Sequence, residues 1–144
     1  LNRDCFSLLG QSMADALLLI LAKRGGDYIA GALNVIGADT LYGRYWGAAE
    51  MHDFLHFEVC YYAAIDWAIA HGLSRVEAGA QGEHKLARGY LPVTTRSVHM
   101  IQDPRLHSAV ADYLDMERKS VARDNKLIEQ HHSPFKTGNR EEDY

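Results

Sequence analysis

The hydrophobic pattern along the chain changes period several times, and each change predicts an element. The stretch from Arg3 to Met13 reads as a short helix. An unbroken apolar run follows at Leu17–Lys23, the pattern of a strand covered on both faces. Arg24-Gly25-Gly26-Asp27 is a strong turn signal, because glycine reaches positive φ without steric cost. Tyr28–Ile36 is the predicted returning strand, and Gly37-Ala38-Asp39 the next turn. Thr40–Trp46 is a third strand rich in β-formers. Three strands joined by tight turns define an antiparallel meander.

The pattern then turns helical. Asp53 is the predicted N-cap, and Phe57, Tyr61, Ala64, Ile65 and Ala68 fall on one stripe, with Gly72 placed as the residue that ends the helix. Ser74–Gly79 reads as a short strand. A strand–helix–strand order implies a right-handed crossover, so this strand is expected to lie parallel to Thr40–Trp46. Gly79–Tyr90 is a glycine-containing loop with room for a short helix, and Thr94–Ile101 reads as a further strand. A last helix is predicted from Asp103 as N-cap and Pro104 at its first position. Its apolar stripe, Leu106, Val110, Tyr113 and Leu114, weakens beyond Glu117. The fold class is therefore α/β (α+β): an antiparallel meander followed by a parallel crossover strand, flanked by helices. Residues 1–130 are expected to form one domain, and residues 131–144 a polar, disordered tail.

Composition narrows the function classes. The chain has 144 residues and a net charge of −4, which gives no electrostatic footprint for nucleic acid or an anionic membrane. Cys5 and Cys60 lie far apart in apolar surroundings and lack metal-knuckle spacing, as expected for reduced thiols in a cytoplasmic protein. The longest apolar run, Ala16–Ala22, is strand-sized, so no membrane span is expected.

The segment with the densest chemistry is Glu77–Tyr90, EAGAQGEHKLARGY. It follows a strand, and ligand sites in α/β folds favour the carboxyl ends of strands. Lys85 and Arg88 are candidate ligands for a phosphate or carboxylate, and Glu77 or His84 a candidate proton acceptor for an attacking amine. Gln81 and Tyr90 complete the polar set, while Gly79 and Gly82 permit close backbone approach. The segment lacks the Gly-Lys-Ser/Thr ending of a phosphate-binding P-loop and the GxGxxG of a dinucleotide fold. A plain reading remains open: a solvated turn followed by one polar helical turn.

Two other clusters stand out. In Leu41–Trp46, strict alternation places Tyr42, Arg44 and Trp46 on one face, where Arg44 and Trp46 would line a groove for an anionic or sugar-bearing ligand. In Glu50–Glu58, His52 and His56 are four apart with Glu58 nearby. No third ligand is fixed by spacing, so no metal is assigned, and His56 and Glu58 are read as a polar rim beside the groove.

At these residues the sequence resembles a known family. Gly31–Gly47 (GALNVIGADTLYGRYWG), Leu55–Leu73 (LHFEVCYYAAIDWAIAHGL) and Arg75–Pro92 (RVEAGAQGEHKLARGYLP) are similar to bacterial predicted N-acyltransferases, or peptidoglycan biosynthesis/recognition proteins. These belong with the Fem-type transferases of the GNAT-like superfamily. The resemblance is to the carboxyl-terminal half of a two-half architecture, and implies an amino-terminal GNAT-like half as partner. It implies a GNAT-like mixed sheet and transfer of an acyl or aminoacyl group from an activated donor, acyl-CoA or aminoacyl-tRNA, to an amine acceptor. The acetyl-CoA pyrophosphate signature is not evident between Trp46 and His56. Gly82-Glu83-His84-Lys85 is similar to a Gly-Asp-Glu…Tyr-Lys-type segment of related wall-directed transferases, which implies Lys85 as an anion or carbonyl ligand.

Three functions follow as expectations. The first is an N-acyltransferase with Glu77, His84 and Lys85 catalytic and Arg44, Trp46, His56, Glu58, Gln81, Arg88 and Tyr90 binding substrate. The second is a non-catalytic module that recognises a cell-wall precursor or a partner domain. The third is a metal-dependent hydrolase on His52, His56 and Glu58. An exposed sheet edge could also drive homodimerisation.

Overall fold

The computed structural model describes residues 2–79 and 83–131. The chain divides into two compact units, Leu1–Gly82 and Glu83–Tyr144, each described by itself.

In the first unit, helix α1 spans Arg3–Ser12, capped by the Asn2 side chain, which accepts from the Cys5 N–H at 3.0 Å. Strands β1 (Leu17–Arg24), β2 (Asp27–Ile36) and β3 (Thr40–Ala48) form the expected meander. Gly25 and Gly26 take φ of +58° and +104° in the first turn, a conformation that L side chains rarely adopt. A continuous helical run then comprises α2 (Leu55–Phe57), a π-helical turn (Glu58–Tyr62) and α3 (Ala63–Ala70). Gly72, at φ +70°, ends it, and the Leu73 N–H returns to the Ala68 carbonyl at 2.9 Å. Strand β4 (Arg75–Glu77) then pairs parallel to β3, from Thr40 opposite Arg75 to Tyr42 opposite Glu77. The sheet order is β1-β2-β3-β4, a mixed four-stranded sheet with one parallel pair, consistent with a GNAT-like arrangement.

The core lies between one sheet face and the helical run. Leu41, Ala64 and Ala68 are fully buried, with Leu18, Ile20, Ile36, Trp67, Leu73 and Val76 packed around them. Two alanines on the helix let it approach the sheet closely, which is why small residues occupy that stripe.

Three expectations are corrected in this unit. Strand β1 is covered on one face only: Leu18 and Ile20 join the core, while Leu19 and Leu21 are 57% and 44% exposed. Asp53 does not cap the helix. It lies in a turn, and Phe54, at φ +66°, precedes the first helical residue Leu55 without a side-chain cap. Strict alternation fails in β3, because the β2–β3 register shifts between Leu33 and Asn34. Leu33 faces Tyr45 and Asn34 faces Gly43, leaving Arg44 as the extra residue of a β-bulge. Tyr42 and Tyr45 thus share the face of Leu33 and Val35, and Trp46 the opposite face with Ala32 and Asn34.

The second unit opens with a 3-10 helix, Glu83–Arg88, and closes with helix α4, Pro104–His131. Asp103 caps α4 as predicted, its carboxylate accepting from the Arg105 and Leu106 N–H groups at 2.8 and 3.3 Å. The helix continues past Glu117, where an Arg118–Asp115 pair at 3.1 Å and a Ser120–Asp124 bond support its polar turns. The Thr94–Ile101 strand does not form. That stretch has no ladder partner among the described residues, and Val98 and Met100 are almost wholly exposed. An isolated apolar run gains nothing from being extended without a neighbouring strand to satisfy its backbone. The proposed tail, residues 131–144, lies outside the described residues apart from His131.

Candidate functional site

Strands β3 and β4 pair only as far as Tyr42 and Glu77, whereas β3 stays paired to β2 as far as Ala48. Where β4 leaves, a cavity of about 150 Å³ opens, lined chiefly by Asn34, Gly43, Arg44, Trp46, His56, Cys60 and Tyr61. Its position follows from the short fourth strand. Gly43 stands at the parting point: a Cβ there would lie 3.2 Å from the Glu77 carbonyl oxygen and 3.6 Å from Asn34 Oδ1. Glycine therefore lets the β4 backbone and the Asn34 carboxamide converge on β3.

Departures from regular backbone gather around this cavity. The β-bulge at Arg44 is on one wall, the π-helical turn at Glu58–Tyr62 on the other, and the positive φ of Phe54 two residues before His56. π-Turns and non-glycine positive φ are unfavourable locally and recur where a site must be shaped. Here they turn Trp46, His56, Cys60 and Tyr61 towards one space.

The chemistry of the cavity is mixed. The His56 ring packs edge-on against Trp46 and Tyr61, with centroids 5.3 Å away in each case, so an imidazole is held between two aromatic walls. Asn34 is 1% exposed, and its Nδ2 donates to the Leu18 and Ala32 carbonyls at 3.4 Å each. Both bonds are long for N–H···O, so this buried carboxamide is weakly satisfied by the protein. Burial pushes the Cys60 thiol up to about 11, which keeps it a neutral wall rather than a thiolate nucleophile. The Arg44 guanidinium lies over the Tyr42 ring at 4.9 Å and donates to the Gly43 carbonyl at 3.0 Å. It is exposed, at the cavity's outer lip.

The structure thus brings Arg44, Trp46 and His56 together, although not by the strand alternation that suggested Arg44 and Trp46. Glu58 starts the π-turn and is exposed, outside the cavity lining. Glu77 ends β4, exposed at the point where the strands part. Gln81 lies outside the described residues. His84, Lys85 and Arg88 fall on the 3-10 helix of the second unit, followed by Tyr90. There the Arg88 Nη1 donates to the His84 carbonyl at 2.7 Å, and burial draws the Lys85 ammonium below its usual value. His52 and His56 form no metal site, and no cluster of three or more potential metal ligands occurs among the described residues. His52 instead bonds Glu50 at 2.9 Å, beside an Arg24–Glu50 ion pair. Asn34 and Cys60 were missed as cavity residues, although Asn34 sits in phase with Ala32 and Ile36 along β2.

With the mixed sheet and the cavity at its parting strands defined, the fold class is a mixed α/β domain, consistent with a GNAT-like arrangement. The chain belongs to the FemAB-like family, described as peptidoglycan biosynthesis/recognition, whose profile matches residues 1–137. No curated protein and no solved structure matches the chain significantly. No described helix is long and apolar enough to cross a membrane.

Proposed function

We propose that the chain carries the acyl-transfer groove of an N-acyltransferase acting on a peptidoglycan precursor, with the cavity between β3 and β4 receiving the reacting acyl group. The observation that carries this reading is the buried, weakly satisfied Asn34 carboxamide, which with His56 lines a cavity built at the parting strands. Family membership supports the cell-wall setting. The volume suits an acyl group of about six heavy atoms, comparable with cavities that hold benzene.

In this reading an amine lone pair attacks the donor carbonyl, and the new C–N bond forms as the C–O or C–S bond to the carrier breaks. Asn34 orients the attacking nitrogen through its carboxamide oxygen. His56 accepts the proton the nitrogen loses, and the leaving oxygen or sulfur is reprotonated. Arg44 at the lip attracts the anionic part of a substrate. The donor is an aminoacyl-tRNA or an acyl-CoA. The sequence also proposes Lys85 and Arg88 as anion ligands, Lys85 with the support of the family resemblance, and Glu77 or His84 as an alternative proton acceptor.

The test is transfer of a radiolabelled aminoacyl or acyl group, from charged tRNA or a CoA thioester, to the free amine of a UDP-linked muropeptide. Asn34→Leu, close in volume, is expected to lose at least about a hundredfold in turnover while keeping its melting temperature. Unchanged turnover in that variant would remove Asn34 and the cavity from the reaction. Muropeptide binding without transfer to any acceptor would favour the recognition-module reading instead.

A further inference from the structure

Phe54 occupies a position that neither its backbone nor its burial explains. Its φ of +66° lies in the left-handed region, and no other non-glycine residue has a positive φ among the described residues. That conformation is disfavoured for L side chains, and most of all for bulky ones. The turn itself needs only the main chain. The Leu55 N–H donates to the His52 carbonyl at 3.3 Å, and the Phe54 carbonyl accepts from the Phe57 and Glu58 N–H groups at 2.9 and 3.1 Å. Glycine would make the same three bonds without steric cost. Nor does the phenyl ring gain from burial, since Phe54 is 75% exposed. Strain of this kind gathers at ligand sites, where the placement of a side chain outweighs the comfort of its backbone.

The exposed ring ends a row that starts in the cavity. Trp46 and His56 both line the cavity, with ring centroids 5.3 Å apart. His56 meets Phe57 at 5.6 Å, and Phe57 meets Phe54 at 6.2 Å with the two planes tilted by 38°. The first three rings are half-buried, and the fourth stands in solvent. The row therefore presents an aromatic face two ring steps from His56. Phenyl rings carry no hydrogen-bonding group, so a saccharide lying there would need other partners for the hydroxyls on its rim. A nucleobase has a flat apolar face of the matching kind, and every base stacks on aromatic side chains.

We infer that Phe54 is the stacking platform for a nucleobase of the substrate's carrier, holding it beside the cavity while the acyl group enters. The inference builds on the acyl-transfer reading, in which donor and acceptor both carry nucleotides. Spacing favours one of them. A nucleoside 3′-ester keeps its carbonyl one ribose away from the base, which suits two ring steps between Phe54 and His56. A coenzyme A thioester puts a pantetheine arm and a diphosphate between base and carbonyl. A UDP-linked muropeptide puts a diphosphate, a sugar and a peptide between base and amine.

NMR titration of the 144-residue chain with 3′-glycylamido-3′-deoxyadenosine, coenzyme A and UDP tests this, with diacetylchitobiose as the saccharide control. The adenosine amide, a stable stand-in for the ester, is expected to bind about tenfold more weakly to Phe54→Leu and equally well to Phe54→Trp. Leucine keeps the apolar bulk and the strained backbone but has no aromatic face. Phe54→Gly should lose binding as the leucine variant does, yet melt above Phe54→Ala, because both lack the ring and only glycine relieves the backbone. Dependence on Phe54 for coenzyme A or UDP supports the platform and assigns the base to the thioester donor or to the acceptor. No binding of any nucleotide by the parent, equal binding by the leucine variant, or dependence on Phe54 for the saccharide alone would each overturn the platform. A glycine variant melting below the alanine variant would overturn the strain argument on which it stands. Because the readout is binding, a chain that transfers nothing still reports on Phe54, and a chain that transfers normally with an inert Phe54 loses the platform but keeps the groove.

Discussion

Cys60 is a reactive residue type held out of reaction by its surroundings. Desolvation raises its thiol from 9.0 to about 11, so the thiol form persists in the folded chain well into alkaline pH. The unfolded chain loses that proton near pH 9 and binds fewer protons than the native state between the two values. This group's contribution to stability is therefore full below about pH 9 and falls as pH rises towards 11. Alkylation by iodoacetamide, followed residue by residue in the native chain, should show Cys60 slow at pH 8 and accelerating only above about pH 10. A Cys60 rate in native protein equal to that in urea would contradict its burial. The neighbouring Asn34 shows why such residues were hard to find from sequence. In Tyr28–Ile36 the bulky Leu33 and Val35 look like the core face, and Asn34 like a solvated position. The helix places Ala64 and Ala68 against the sheet, so the small-residue face of β2 became the buried one, with Asn34 in it.

At the scale of elements, the meander, the parallel return and the helix stop at Gly72 were legible because turn chemistry and connection lengths leave few alternatives. The helical stripe was legible in part: Tyr61, Ala64 and Ala68 are buried as the spacing required, and Val59 joins them across the π-turn. A π-turn amounts to one residue more than an α-helix needs, and hydrophobic periodicity does not distinguish it from a regular turn. That extra residue has a testable use. Deleting exposed Tyr62 should return the run to α-helical hydrogen bonding, with α3 held by Ala64 and Ala68 in the core. In α-helical geometry Tyr61, five residues after His56, would lie about 140° round the helix from it, and their ring contact would be lost. The expected result is retained helical circular dichroism, with loss of the ring-current shift that Tyr61 imposes on His56 in NMR spectra. A deletion that leaves that shift in place would show that the π-turn does not bring the two rings together.

Across the whole molecule, the family match runs through both units, from residue 1 to residue 137, although their backbones are organised differently. The first unit satisfies its backbone through three sheet ladders and a helical run. The second places two helical segments on either side of residues 91–102, which have no regular structure. A side-chain bond from Asn125 to Thr94, at 3.3 Å, ties that stretch to α4. Thr94–Ile101 reads as a strand in the sequence, and its Thr, Val and Ile residues do favour extended backbone. Propensity of that kind becomes a strand only where a neighbour supplies the hydrogen bonds. Hydrogen exchange on the intact chain separates the two accounts. Amides of residues 94–101 should exchange at close to the rates of an unstructured peptide, while those of Ala32 to Val35, paired on both sides within the sheet, should be protected by several orders of magnitude. Protection of residues 94–101 comparable with that of β2 would mean that they pair as a strand after all, and would extend the sheet-forming part of the chain beyond its first unit.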